Sequence, residues 1–153
     1  PEQGSFALTV FFSIGIFMTY IGGLLGDKYG PIKIIRLSLL VWLPAMFLLT
    51  EVPTFSPIIM MPVAYLLLLM IGAAKAISYS PVIVLGQTYL AKSIGFASGI
   101  TLGVSQTIGG VIAPVVGNLA DTYSLPVAMM TLVPFLVMGL GASLILKDPK
   151  KLQ

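Results

Sequence analysis

Apolar residues fall in long blocks along this chain, and the few charges gather between them. The blocks run over residues 5–25, 34–50, 58–90, 96–120 and 126–146. A bilayer core of about 30 Å needs about 20 apolar helical residues to cross it. The pattern therefore predicts five membrane-spanning helices and an all-α polytopic membrane protein. The charged stretch GDKYGPIK separates the first two blocks, and EVPTFSP, with two prolines, breaks the chain before the third. The third block is the longest, and Pro81 lies inside it. It is read as one long kinked helix, because a turn near Pro81 would leave irregular backbone at mid-depth. The fourth block is rich in glycine, with Asn118, Asp121 and Ser124 marking the turn after it. The fifth ends in the polar tail KDPKKLQ. Arg36, near the start of the second block, is expected to snorkel to the headgroups.

Composition strengthens this picture. The chain is 58% hydrophobic and 8% charged, with a mean hydropathy of +1.06. A soluble domain carries about 25% charged residues. So little charge cannot cover a surface in water, so lipid must solvate much of the outside. The chain has no histidine and no cysteine. That excludes a Cys/His zinc site, a thiol nucleophile, a disulfide framework and a Ser-His-acid triad. There is no GxxxxGK[ST] phosphate cradle. The expectation is a protein that is not an enzyme, carries no cofactor and binds no nucleic acid. The start, Pro1-Glu2-Gln3, reads as a cut rather than a natural N-terminus.

Positive charge gives the orientation. If GDKYGPIK is cytoplasmic, Lys28, Lys33, Arg36, Lys92, Lys147, Lys150 and Lys151 lie inside, and no Lys or Arg lies outside. Glu2, Glu51 and Asp121 fall outside. The N-terminus is then outside and the C-terminus cytoplasmic.

Three groups of residues stand out. The first inside loop carries Gly23, Asp27, Lys28, Gly30 and Lys33. Gly23 lets a neighbouring helix approach, Asp27 can bind a helix N-terminus or a cation, Gly30 permits a tight turn, and Pro31 can open the next helix. The layout suits a clamp between two helices, and equally an ordinary charged loop. Lys75 is the one charge deep inside an apolar block, since Arg36 lies at the edge of its own. Placing it at mid-membrane costs ~2.5–3.5 kcal/mol on insertion scales, so it should face a bundle interior or a water-filled cavity. At helical spacing Gly72, Ser78, Tyr79 and Val82 share its side. Lys75 would contact an anionic substrate group, or else snorkel or pair structurally with an acid. In the fourth block, Thr101 and Ser105 share a face, and Gln106 lies on the next face beside Gly99, Gly103 and Gly110. Ser105 and Gln106 would line a path. The small-residue patterns Gly99-xxx-Gly103 and Gly109-xxx-Ala113-xxx-Gly117 would pack helices closely. No Asp or Glu lies within an apolar block, so a proton-carrying acid would have to lie elsewhere.

GLLGDKYGPIK resembles the inner-loop signature of the major facilitator superfamily. The stretch from Val82 to Asp121, with VLGQ, GFASG and GNLAD, is similar to the late helices of its fosmidomycin-resistance-like branch. The two stretches cover about a third of the chain. The resemblance implies a partial transporter bundle, its spans matching the eighth to twelfth of twelve helices, with the N-terminal half of the same transporter missing. The family's inner-loop conformational role would fall on Gly23, Asp27, Lys28, Gly30 and Lys33. Pro31 departs from the pattern, standing where a basic residue is usual. The implied activity is proton-coupled efflux of a drug-like solute across a bacterial or archaeal plasma membrane, as an antiporter working by alternating access. Its partners would be the lipid bilayer and a small-molecule substrate. Lys75, Ser78, Tyr79, Ser105 and Gln106 are expected on the substrate or ion pathway from their own chemistry and spacing, and the family pattern supplies no lysine at position 75. Two other readings stand beside it: uptake of a small anionic solute with Lys75 as counter-charge, and a non-transporting membrane scaffold or assembly subunit.

Overall fold

A computed structural model describes residues 2–51 and 57–146, with side chains described for Thr9, 12–51 and 60–146. The connection at 52–56 and the tail at 147–153 lie outside the described residues. So does the inside placement of Lys147, Lys150 and Lys151. Every described element is helical: α1 (Glu2–Tyr29), α2 (Pro31–Glu51), α3 (Pro57–Tyr89), α4 (Ile94–Gly99), α5 (Ser105–Thr122), α6 (Leu125–Met130) and α7 (Val133–Ile145). Among the described residues, four helical stretches are long and apolar enough to cross a membrane: Pro31–Glu51, Met60–Tyr89, Ala91–Thr122 and Leu125–Ile145. Helix α1 adds a further long helix of 28 residues.

The first turn is as tight as its sequence predicts. Only Gly30 separates α1 from α2, and its φ of 97° lies in the left-handed region that favours glycine. Its N–H donates to the Gly26 carbonyl at 2.9 Å, closing α1, and its own carbonyl accepts from the N–H of Ile34 at 3.4 Å, opening α2. Pro31 sits at the first helical position, where its missing N–H leaves nothing unsatisfied.

Helix α3 is one continuous helix of 33 residues through both Pro62 and Pro81, so the one-helix reading of the third block holds. Pro81 is fully buried. The core lies where α2, α3 and α7 meet, built from Ile35, Leu39 and Met46 of α2, Leu67 and Ile71 of α3, and Leu136 of α7.

Two apolar blocks are less regular than their sequences suggest. The last is not one helix: it breaks at Thr131-Leu132 into α6 and α7. Pro134 has no N–H with which to continue the ladder. The Thr131 hydroxyl donates to the Ala128 carbonyl at 2.6 Å, and Leu132 N–H donates to Met129 at 3.1 Å. A single 3₁₀ turn, Ala91–Ser93, precedes the fourth block, and between α4 and α5 the block widens into a π segment, Ile100–Val104.

Arg36 does not act as a simple headgroup anchor. Its Nε and Nη2 donate to the Ser143 carbonyl at 2.9 and 2.6 Å, and Nη2 reaches Leu144 at 3.4 Å and Leu146 at 3.2 Å. Beside the expected snorkelling, Arg36 forms a tertiary cap. The last carbonyls of α7 have no partners within the helix, and a guanidinium supplies them.

Candidate functional site

Helices α1 and α3 pack with almost no space between their backbones. A Cβ at Gly22 would overlap the Ile77 carbonyl oxygen and lie 2.7 Å from Ile77 Cα. One turn on, a Cβ at Gly26 would lie 3.2 Å from the Pro81 ring. Gly23, the glycine singled out from the sequence, faces the Ser80 side chain at 3.2 Å. The contact is real, but the tightest point is its neighbour. The rest of the inner-loop group sits at the end of this crossing. Asp27, Lys28 and Lys33 are exposed. Lys28 Nζ lies 5.2 Å from the centroid of the Tyr29 ring, and its position in the last turn of α1 suits the helix dipole.

On its other flank, α3 is clasped to the fourth stretch at one end only. Gly86 has no side chain, and a Cβ there would lie 2.7 Å from Thr101 Oγ1. Next to it, Gln87 Nε2 donates to Ser98 Oγ at 2.8 Å. The π segment follows at once. Beyond it α5 runs close to α6 and not to α3. A fork opens between α3 and α5, closed at the Gly86–Thr101 end.

All five residues expected on a pathway line one cavity in this fork. Lys75, Ser78 and Tyr79 come from α3, and Thr101, Ser105 and Gln106 from the π segment and α5, around about 420 Å³. That volume lies in the range of about 300–1,000 Å³ usual for small-molecule sites. The serine hydroxyls donate within their own helices: Ser78 to Lys75 at 2.9 Å, and Ser105 to Thr101 and Leu102. Their oxygens can still accept. Lys75 and Gln106 bring the donors able to turn to a solute.

One grouping differs from the helical-face reading. Gln106 shares its side with Thr101, Ser105 and Gly109, whereas Gly99 and Gly103 face a separate groove with Thr107. The small-residue faces are bare: nothing approaches Gly99, Gly103, Gly109 or Gly117 within 4 Å, and α5 has no buried residue. Their expected role as packing surfaces is not filled by any described part of this chain.

Several residues escaped the sequence reading. Gly22 could have been found from its spacing of four to Gly26, a small-xxx-small pair. Gly86, Gln87 and Ser98 were visible only as a motif. The π segment carries no signal in residue type. π segments occur often at functional sites, and this one sits on the cavity wall. Removing the side chain of Ser98 (Ser98→Ala) breaks the clasp beside that segment. It is expected to lower thermal stability by about 0.5–1.5 kcal/mol, read as a shift in the unfolding midpoint.

Over 149 residues, 97% of its length, the chain is 31% identical to a protein of Bacillus subtilis (strain 168) described as an uncharacterized MFS-type transporter, YfnC. The chain spans 35% of that relative's length. No family model matches the chain. No solved structure matches it.

Proposed function

We propose that this chain is part of a secondary transporter of the major facilitator type, and that the α3–α5 fork lies on its solute pathway. The observation that carries the reading is the placement of Lys75. It is the one charged residue of the apolar helix α3, on the wall of a cavity that also gathers Ser78, Tyr79, Ser105 and Gln106. A charge inside an apolar span is costly unless it faces water or a partner. The likeness to an MFS-type transporter supports membrane transport.

In this reading the chain contributes five spans to a longer bundle. The bare faces of α5 pack against the rest of it, and two halves rock around a central site. The inner loop from Gly23 to Lys33 works as a conformational clamp between states. The N-terminus faces outward and the C-terminus inward across a plasma membrane. The direction is efflux of a drug-like solute, driven by proton entry through an acid outside these spans. Uptake of a small anion is the second reading, favoured by the cationic head of Lys75.

The test uses the complete transporter in proteoliposomes. Lys75→Gln is expected to lower solute flux at least tenfold at unchanged protein level, while Lys75→Arg retains part of it. Unchanged flux in Lys75→Gln removes Lys75 from the pathway. Flux that collapses with a protonophore supports proton coupling, and its sign under an imposed pH gradient separates efflux from uptake.

A further inference from the structure

Lys75 and Tyr79 belong to two cavities, not one. The second lies on the neighbouring face of α3, against α1, and holds about 320 Å³. Its wall is formed by Phe12, Gly15, Ile16, Gly72 and Ala76, with Thr19 as its one hydroxyl besides Tyr79. The α3–α5 cavity is the polar one, with Ser78, Ser105 and Gln106. The two are offset along α3: the apolar one uses residues 72–79 and the polar one 75–83. The ridge between them is Lys75 and Tyr79, one helical turn apart.

Resting on the transport reading above, we infer that the site is bipartite and takes amphipathic organic monoanions: the anionic head sits at Lys75 and Tyr79, and an apolar chain lies in the α1–α3 cavity. The ridge supplies a cation and a phenol that can both donate to one anionic group. The cavity beside it offers aromatic and aliphatic wall with little polar surface, which suits methylenes and not a second charge. Gln106 and the serine oxygens on the other flank hydrogen-bond the polar side of the head. Lys75 is the one cation in either lining, which favours one negative charge over two.

The probes are n-alkane-1-sulfonates of two to eight carbons and the matching neutral alkanesulfonamides. Binding is measured on the purified complete transporter, and counterflow is measured in proteoliposomes. Each added methylene is expected to raise sulfonate affinity roughly fourfold until the cavity is filled. The sulfonamides are expected to bind at least tenfold more weakly at every length. Lys75→Gln should erase the difference between the two head groups and keep the chain-length dependence. Lys75→Arg should keep both. Gly15→Leu reaches into the cavity from a position where a Cβ meets nothing within 4 Å. It should shorten the chain length at which affinity stops rising and leave the head-group preference intact.

Equal binding of sulfonate and sulfonamide overturns the anionic head site. A chain-length limit unmoved by Gly15→Leu overturns the apolar subsite, because partitioning into detergent gives that result too. Sulfonates that bind as expected but never exchange across the membrane overturn the transport reading and leave the site standing. Exchange without head-group preference does the reverse.

Discussion

Gly22→Leu is expected to separate helix α1 from helix α3 and to leave little folded protein. At Gly22 a Cβ would overlap the Ile77 carbonyl oxygen, with Ile77 Cα at 2.7 Å and its carbonyl carbon at 2.8 Å. All three are backbone atoms, so no side chain can rotate away and the helix itself must move. Extra methylenes in a packed interior cost about 1–3 kcal/mol even where side chains can adjust. Here they cannot, so the leucine should exceed that range and Gly22→Ala should already reach it. In lipid the loss is hard to recover, because helix association rests on close packing and hydrogen bonds and not on escape from water. Gly23→Ala is the informative comparison. Its nearest neighbour is the Ser80 hydroxyl at 3.2 Å, which can turn, so the cost should stay below about 1 kcal/mol. Gly15→Ala, with open space around it, should be neutral. Thermal unfolding of the detergent-purified complete transporter gives the order. A Gly22→Leu protein as stable as the parent would mean that the α1–α3 crossing is wrong.

The second large effect is expected at Arg36. Its guanidinium serves the carbonyls of Ser143, Leu144 and Leu146 at the end of α7. That helix stops at Leu146, in an extended conformation and without a glycine cap. Hydrogen bonds to a charged group contribute about 1.5–3 kcal/mol, and a cation at a helix C-terminus adds a favourable dipole interaction. Arg36→Gln removes the charge and the forked donor geometry together. The end of α7 should then fray, with exchange of the Leu146 amide, which bonds to the Ala142 carbonyl at 3.2 Å, rising roughly ten- to hundredfold. Arg36→Lys keeps the charge but offers no planar fork, and should recover part of the protection. Unchanged exchange in Arg36→Gln would show that the cap does not hold the helix end. The two sites affect different parts of the bundle. Gly22 sets the α1–α3 crossing beside the apolar cavity, while Arg36 ties α7 to the start of α2.

Much of the candidate site could be read from the chain alone because its warrant was energetic. A lysine in an apolar block must find a cavity or a partner, and helical spacing puts Ser78 and Tyr79 on its side. Ser105 and Gln106 were legible as polar residues in a lipid-length block. Their meeting with Lys75 was not legible, since it depends on the Gly86–Thr101 clasp and the divergence of α5.

The sequence by itself determined where helices run and where they turn. Lipid tolerates no free backbone polar groups, so block length predicts the long helices, and Gly30-Pro31 fixes the tightest connection. It did not determine which face of each helix meets a neighbour. In water, buried and exposed faces differ in polarity and the difference is written in the residues. In a bilayer both faces are apolar, so hydrophobicity along α1 does not separate Gly22 from Gly23, and only the four-residue spacing to Gly26 points to Gly22. The same holds for an arginine at a helix start, whose nearby headgroups and distant helix end are equally plausible partners until α7 is placed beside it. The π segment and the break at Thr131-Leu132 belong to this second class. They are local adjustments of backbone hydrogen bonding, and only the tertiary structure decided them.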